Sequence, residues 1–286
     1  MIDMTRDQAS WLVTMSSQAT AIAIEKALDG VDAEVADRVR RSLEEDVPVR
    51  LSDVFAKTSS PEVALQRIEH IEGGVVIGYE ALARFGGGIG PADHFREAAE
   101  YGLEVDLELA TLRAALLRLD ELPYGTFMGV NVSSTALVDP RFGEVLATVD
   151  MSRLVIELTQ QSMISDVQEL RRRFNHFQEI GAVFAVDAAG YGFFHSERLL
   201  ELKPEMIKID RTFVSSCDTD EAKRGELVSL IKVGRRIGAF VVATGVETQE
   251  ERELLASLGV DAVQGYFIGK PSVELLDEPQ LAASAY

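Results

Sequence analysis

The chain runs to 286 residues, 47% of them hydrophobic, which is enough to bury a barrel-sized core with or without an appendage. Its 47 acidic residues against 28 basic ones leave a net charge of −19, a field that repels a nucleic-acid backbone, and a single cysteine, Cys217, excludes an internal disulfide or a cysteine-based metal cluster. No uninterrupted apolar run of about 18 residues and no basic N-terminus leading into an apolar core occurs, so the expectation is a soluble cytoplasmic protein with no membrane and no nucleic-acid partner.

In chain order, Trp11, Leu12, Met15, Ala19, Ile22 and Leu28 recur at mostly helical intervals up to Asp29-Gly30, and Val35, Val39 and Leu43 follow an Asp32 cap. Residues 1–60 therefore read as a helical N-terminal extension and linker, either packed on the main domain or serving as a dimerisation or signal-input arm. The turn-formers at 56–62 mark the boundary to a second domain, 61–286. Beyond it, short β-branched runs at 63–71, 75–84, 126–132, 153–159, 182–187, 205–209, 239–244 and 261–266 alternate with amphipathic stretches near 91–120, 139–148, 165–180, 195–202, 219–238 and 249–258. Glu72-Gly73-Gly74 is too short for a crossover helix, so the first two strands should run antiparallel. Eight strands in this order predict an α/β fold, a TIM-like (β/α)8 barrel with an antiparallel first strand. Arg171-Arg172-Arg173, the densest basic run, has helical apolar neighbours Leu170, Phe174 and Phe177 and reads as the solvated side of a helix.

A barrel of this type builds its site where strands end. Glu80, Asn131, Glu157 and Asp187 end four consecutive strands, and Lys208 stands between two isoleucines on a later one. An isolated strand-end carboxylate is usually a cap or an ion-pair partner, but four oxygen-bearing residues in succession form a candidate ring for a hard cation such as Mg²⁺, Mn²⁺ or Ca²⁺. Lys208 suits either a buried partner for those carboxylates or a residue facing a phosphate.

These residues carry a resemblance. Gly78-Tyr79-Glu80-Ala81-Leu82-Ala83-Arg84, Asn131-Val132-Ser133, Glu157-Leu158-Thr159, Lys208-Ile209-Asp210, Gly245-Val246-Glu247-Thr248 and Gln264-Gly265-Tyr266 follow the order and spacing of the EAL domain family. The sequence resembles these cyclic di-GMP phosphodiesterases and their degenerate relatives from Gln66 to about Pro271. The resemblance implies that Glu80, Asn131, Glu157 and Asp187 hold the first of two metal ions and that Lys208 is a retained catalytic residue. It also implies that Arg84 contacts a phosphate, that Gln66, Leu82 and Glu247 line the dinucleotide groove, and that Gln264 lies near the metal centre.

The departures gather at the second metal. Ala188 replaces the second of the family's paired aspartates, Thr244 replaces a glutamate, Gln160 replaces another, Arg67 stands for a proline, and 191–194 reads Tyr-Gly-Phe-Phe. Two-metal hydrolysis needs both ions, and loss of a general base or metal-held nucleophile commonly removes ~10²-fold or more in rate. The expectation is a catalytically degenerate regulator, a cyclic di-GMP receptor binding one Mg²⁺, Mn²⁺ or Ca²⁺. It would signal in the cytoplasm as a homodimer through an unknown protein effector. The alternatives are an active or residual phosphodiesterase yielding pGpG, and a nucleotide-independent interaction module in which the 191–194 aromatics form a contact surface or pack under the barrel rim.

Overall fold

The computed structural model describes residues 61–86, 90–147, 149–159, 167–190 and 195–275. The helical extension expected over 1–60, Gln160 and the 191–194 aromatics lie outside the described residues. The chain divides into two compact units, one comprising Met1–Pro61 and Phe85–Ala110, the other Glu62–Arg84 and Thr111–Tyr286.

The second unit contains a closed barrel of eight strands in sequence order. Strands β1 (Glu62–His70) and β2 (Val76–Arg84) form an antiparallel hairpin whose register sets Gln66 opposite Glu80. Gly73 and Gly74 make its turn at φ +80 and +63, a conformation that costs a side chain free energy. Strands β3 (Phe127–Val132), β4 (Leu154–Leu158), β5 (Val183–Ala189), β6 (Met206–Ile209), β7 (Phe240–Thr244) and β8 (Ala262–Gln264) then add in parallel. Closure is a short antiparallel seam, Glu69 opposite Val263 and His70 opposite Ala262. Side chains extend it, because Gln66 donates to the Gly269 carbonyl at 3.0 Å and Arg67 to the Ile268 carbonyl at 2.7 Å.

The helices described are α1 (Pro91–Glu100), α2 (Glu104–Leu116), α3 (Ser134–Val138), α4 (Pro140–Leu146), α5 (Val167–Glu179), α6 (Ser196–Leu202), α7 (Arg211–Val214), α8 (Glu221–Ile237) and α9 (Gln249–Leu258). The expected stretch 91–120 is broken, since Gly102 adopts φ +67 between α1 and α2. Helices α3 and α7, not foreseen, are single capped turns in which Ser133 and Asp210 accept from the Ala136 and Thr212 amides. Helix α5 buries Leu170, Phe174 and Phe177, while Arg172 and Arg173 pair with Glu169 and Arg171 bonds the Glu201 carbonyl. Among the described residues no helix is long and apolar enough to cross a membrane.

The barrel interior is layered by the two-residue period of a strand. Ile68, Val155, Ala185, Met206, Val242 and Ala262 form one buried apolar layer. Two residues further along the same strands stand Glu157, Asp187, Lys208, Thr244 and Gln264. The apolar layer is the floor on which the polar layer sits. In the first unit, Phe85, Phe95 and Tyr101 pack on Ala98, Leu103 and Leu107, with the Phe85 and His94 rings stacked at 4.3 Å.

Candidate functional site

Lys208 is the hub of the polar layer. It is 1% exposed, and its Nζ donates to Glu80 Oε2 at 2.6 Å and to Glu157 Oε2 at 2.5 Å. Asn131 Nδ2 donates to Glu80 Oε1 at 2.7 Å, and Gln264 Nε2 to Glu80 Oε2 at 2.7 Å and to Gln66 Oε1 at 3.2 Å. Strand register brings these groups together, with Asn131 beside Glu157, Glu80 beside Gly129 and Thr244 beside Gln264. Gly129 leaves the space that the Glu157 carboxyl occupies, since a Cβ there would lie 2.1 Å from Glu157 Oε1.

Three carboxyl groups, Glu80, Glu157 and Asp187, face the single ammonium of Lys208 at this hub. Burial raises the Glu157 carboxyl to about 8 against the opposing pull of Lys208, with repulsion from Glu80 and Asp187 in the same direction. Asp187 is also raised, first by burial, against the pull of Lys208. Glu80 is lowered, since the Lys208 charge together with the bonds from Lys208, Asn131 and Gln264 outweighs its burial. The ammonium of Lys208 is held well above its usual range because the three carboxylates outweigh its desolvation.

These features bear on whether the residues fit a divalent cation. The donors are oxygens, carboxyl groups outnumber the ammonium three to one, and Glu157 Oε1 is buried without a hydrogen-bond partner. In chemistry and charge the set fits a hard cation. In its present spacing it serves the ammonium: among the described residues no three His, Cys, Asp or Glu side chains converge at ligand distance.

Above the hub lies a cavity of about 280 Å³, lined by Glu80, Asp187 and Lys208 together with Gln66, Leu82, Glu247 and Gln264. Arg84 is not brought into its lining. Strand β2 carries it to the rim opposite Glu62, where its guanidinium donates to the Ala83 carbonyl at 2.9 Å. Of the departures seen in the sequence, Thr244 lines the cavity, and Ala188 follows the lining residue Asp187 on β5 without lining it. Ala188 sits at φ +54, at an irregularity in the pairing of β5 with β6, and presents a methyl group. Thr244 lines the cavity but donates its hydroxyl to the Ile209 carbonyl at 2.8 Å. Asp210, Arg211, Gly245 and Tyr266 also line the cavity, and sequence reasoning did not single them out as site residues. Asp210 and Arg211 directly follow β6, so the strand-end rule that found Glu157 and Asp187 reaches them when extended by one or two residues into the loop.

Comparison with known proteins agrees with this architecture. The family model described as "EAL domain" matches residues 55–271. Over 212 residues the chain is 33% identical to the cyclic di-GMP phosphodiesterase PdeL of Escherichia coli (strain K12), covering 69% of this chain and 59% of that protein. The chain thus spans less than two thirds of the length of that relative. Among solved structures, the calcium and cyclic di-GMP complex of Klebsiella pneumoniae BlrP1 superposes with a TM-score of 0.67 at 26% identity, covering 74% of this chain and 56% of that one. A cyclic di-GMP-bound standalone EAL protein from Vibrio cholerae O395 shares the fold, with a TM-score of 0.68 at 19% identity over 75% of this chain and 93% of that one. The match over 55–271 and the shared barrel place this chain in the EAL domain family.

Proposed function

We propose that this EAL domain is a cyclic di-GMP receptor with little or no phosphodiester hydrolysis. The observation that carries this reading is the chemistry of two residues, Ala188 directly after Asp187 and Thr244 in the cavity wall. A methyl group offers no lone pair, and the Thr244 hydroxyl is already committed to Ile209, so neither residue can act as an anionic ligand or base. Binding needs less than turnover does. Leu82 gives an apolar surface for a purine face, Glu247 accepts hydrogen bonds at its exposed carboxylate, and Gln66 with Gln264 ties β1 to β8 beneath the ligand.

A single Mg²⁺, Mn²⁺ or Ca²⁺ fits the reading, supplying Lewis-acid charge beside a phosphoryl oxygen. Glu80, Asn131, Glu157 and Asp187 would hold it, with Asn131 turning its amide oxygen inward in place of the Nδ2 it now directs at Glu80. Output would pass through protein contacts, in a homodimer or to an effector.

Calorimetric titration with cyclic di-GMP, with and without Mg²⁺ or Ca²⁺, tests this function. Heat of binding at micromolar ligand without release of linear pGpG is the expected result, and no heat at high micromolar ligand would overturn it. The complete ring of Glu80, Glu157, Asp187 and Lys208 supports a second reading, a residual metal-dependent phosphodiesterase. Linear pGpG released with Mn²⁺ and abolished by Glu80→Ala would establish that reading instead.

A further inference from the structure

The cavity offers an incoming anion few free positive charges. Lys208 is buried and saturated by Glu80 and Glu157, and Arg84 is turned onto its neighbour's carbonyl. Among the described residues lining the cavity, Arg211 is the cation whose side chain is largely exposed, at 69%. Its position is built rather than incidental. Gly245 holds φ +77, and a Cβ there would lie 2.4 Å from the Arg211 Cβ, so the glycine leaves room for the arginine stem to pass. Gly245 follows Thr244, whose hydroxyl is bonded to Ile209, two residues before Arg211. Arg211 therefore stands beside Thr244 and Gly245 in the cavity wall.

The guanidinium is lightly held. It pairs with Glu247 Oε1 at 3.7 Å, beyond hydrogen-bond distance, with both side chains more than half exposed. Such a pair contributes little and exchanges readily for a stronger partner. A phosphodiester supplies one, because its two unesterified oxygens match the guanidinium fork in a charge-assisted, bidentate contact.

We propose that Arg211 is a phosphate-binding residue of this site, taking a phosphodiester of a cyclic dinucleotide on the Thr244 side of the cavity by fixed protein charge. This assignment rests on the receptor reading above. It implies that part of the affinity needs no metal ion and that Glu247, released from Arg211, is free to accept hydrogen bonds from a base.

The test is calorimetric titration of the whole chain with cyclic di-GMP in EDTA and again with Mg²⁺, at two KCl concentrations, for wild type, R211A and R211K. Because Arg211 is exposed, R211A should unfold at the wild-type temperature, and R211Q provides a second variant that keeps a polar side chain. The expected result is binding by wild type in EDTA, weakened on the order of tenfold in R211A, with a shallower salt dependence and an intermediate affinity for R211K. An R211A affinity within about threefold of wild type, with the same salt dependence, would overturn the assignment while leaving the receptor reading intact. Silence of wild type in every condition would overturn both.

Discussion

Thr244 and Ala188 differ in what a carboxylate would cost at each position. Thr244 lies at the end of β7, half-buried, with its hydroxyl 2.8 Å from the Ile209 carbonyl, so Thr244→Glu breaks one hydrogen bond and places a charge beside Asp187 and Asp210. Ala188 already adopts φ +54, which aspartate tolerates better than most side chains, so Ala188→Asp asks little of the backbone. Each substitution alone restores one acidic group, whereas two-metal hydrolysis needs both. The double variant Ala188→Asp with Thr244→Glu should release pGpG in Mn²⁺ at a rate raised by ~10²-fold or more over wild type, with each single variant far behind. Equal rates for double variant and wild type, in protein that still binds the nucleotide, would show that these positions are not what limits turnover. The carboxylate ring was legible in the sequence because Glu157, Asp187 and Lys208 repeat the parity of the apolar layer beneath them. Side-chain direction was not legible. Nothing in Leu82-Ala83-Arg84 reveals that the arginine folds back on Ala83, and nothing in Ile209-Asp210-Arg211 reveals that Gly245, 34 residues on, opens space for Arg211.

Among the elements, the loops at the ends of β6 and β7 form the cavity's working rim, and one buried carboxylate joins them. Glu251, in the first turn of α9 and 4% exposed, accepts from the Ser216 amide at 2.7 Å through Oε1. Through Oε2 it accepts from the amides of Glu247 at 2.8 Å and Thr248 at 3.2 Å. The Thr248 hydroxyl in turn accepts from the Glu251 amide, completing a capping box. Ser216 is held at φ +62 by this arrangement, and Glu247 is fixed at the cavity edge. Glu251→Gln keeps the shape but replaces one acceptor oxygen with an NH₂ that faces backbone donors. A loss of about 1–3 kcal/mol in urea unfolding is expected, together with weaker nucleotide binding through Glu247. An unchanged unfolding midpoint would show that the two loops hold each other without Glu251. At this scale the sequence was mostly readable, since every strand and five helices, α4, α5, α6, α8 and α9, fall within two residues of the periodicity. The exceptions are local. Gly102 splits a continuous helical pattern through a left-handed φ, and α3 and α7 are single turns too short to show a period, set by the side-chain caps of Ser133 and Asp210.

For the molecule as a whole, pH and divalent cations should act on stability through the same buried charge. Glu157 titrates near 8 in the folded protein, against about 4.3 for an unperturbed glutamate. Between these values the folded state keeps a proton that the unfolded chain has released, so stability falls as pH rises through the window, by at most about 1.4 kcal/mol per pH unit for one proton. Asp187 and Glu69, both raised first by burial, contribute with the same sign. Glu80 is shifted downward, so its contribution lies at more acidic pH and does not oppose them. The net charge of −19 produces a similar trend through general repulsion, but 0.15 M salt screens exposed charges far more than the buried cluster. In EDTA and 0.15 M KCl, the unfolding temperature should therefore drop between pH 5.5 and pH 8, and Glu157→Gln, which mimics the protonated carboxyl, should flatten the drop. Mg²⁺, Mn²⁺ or Ca²⁺ should raise the unfolding temperature more at pH 8 than at pH 6, because the ion competes with the retained proton for the same carboxylates. A wild-type slope unchanged by Glu157→Gln would remove Glu157 as its source, and an equal metal response at both pH values would show that the ion binds away from this cluster.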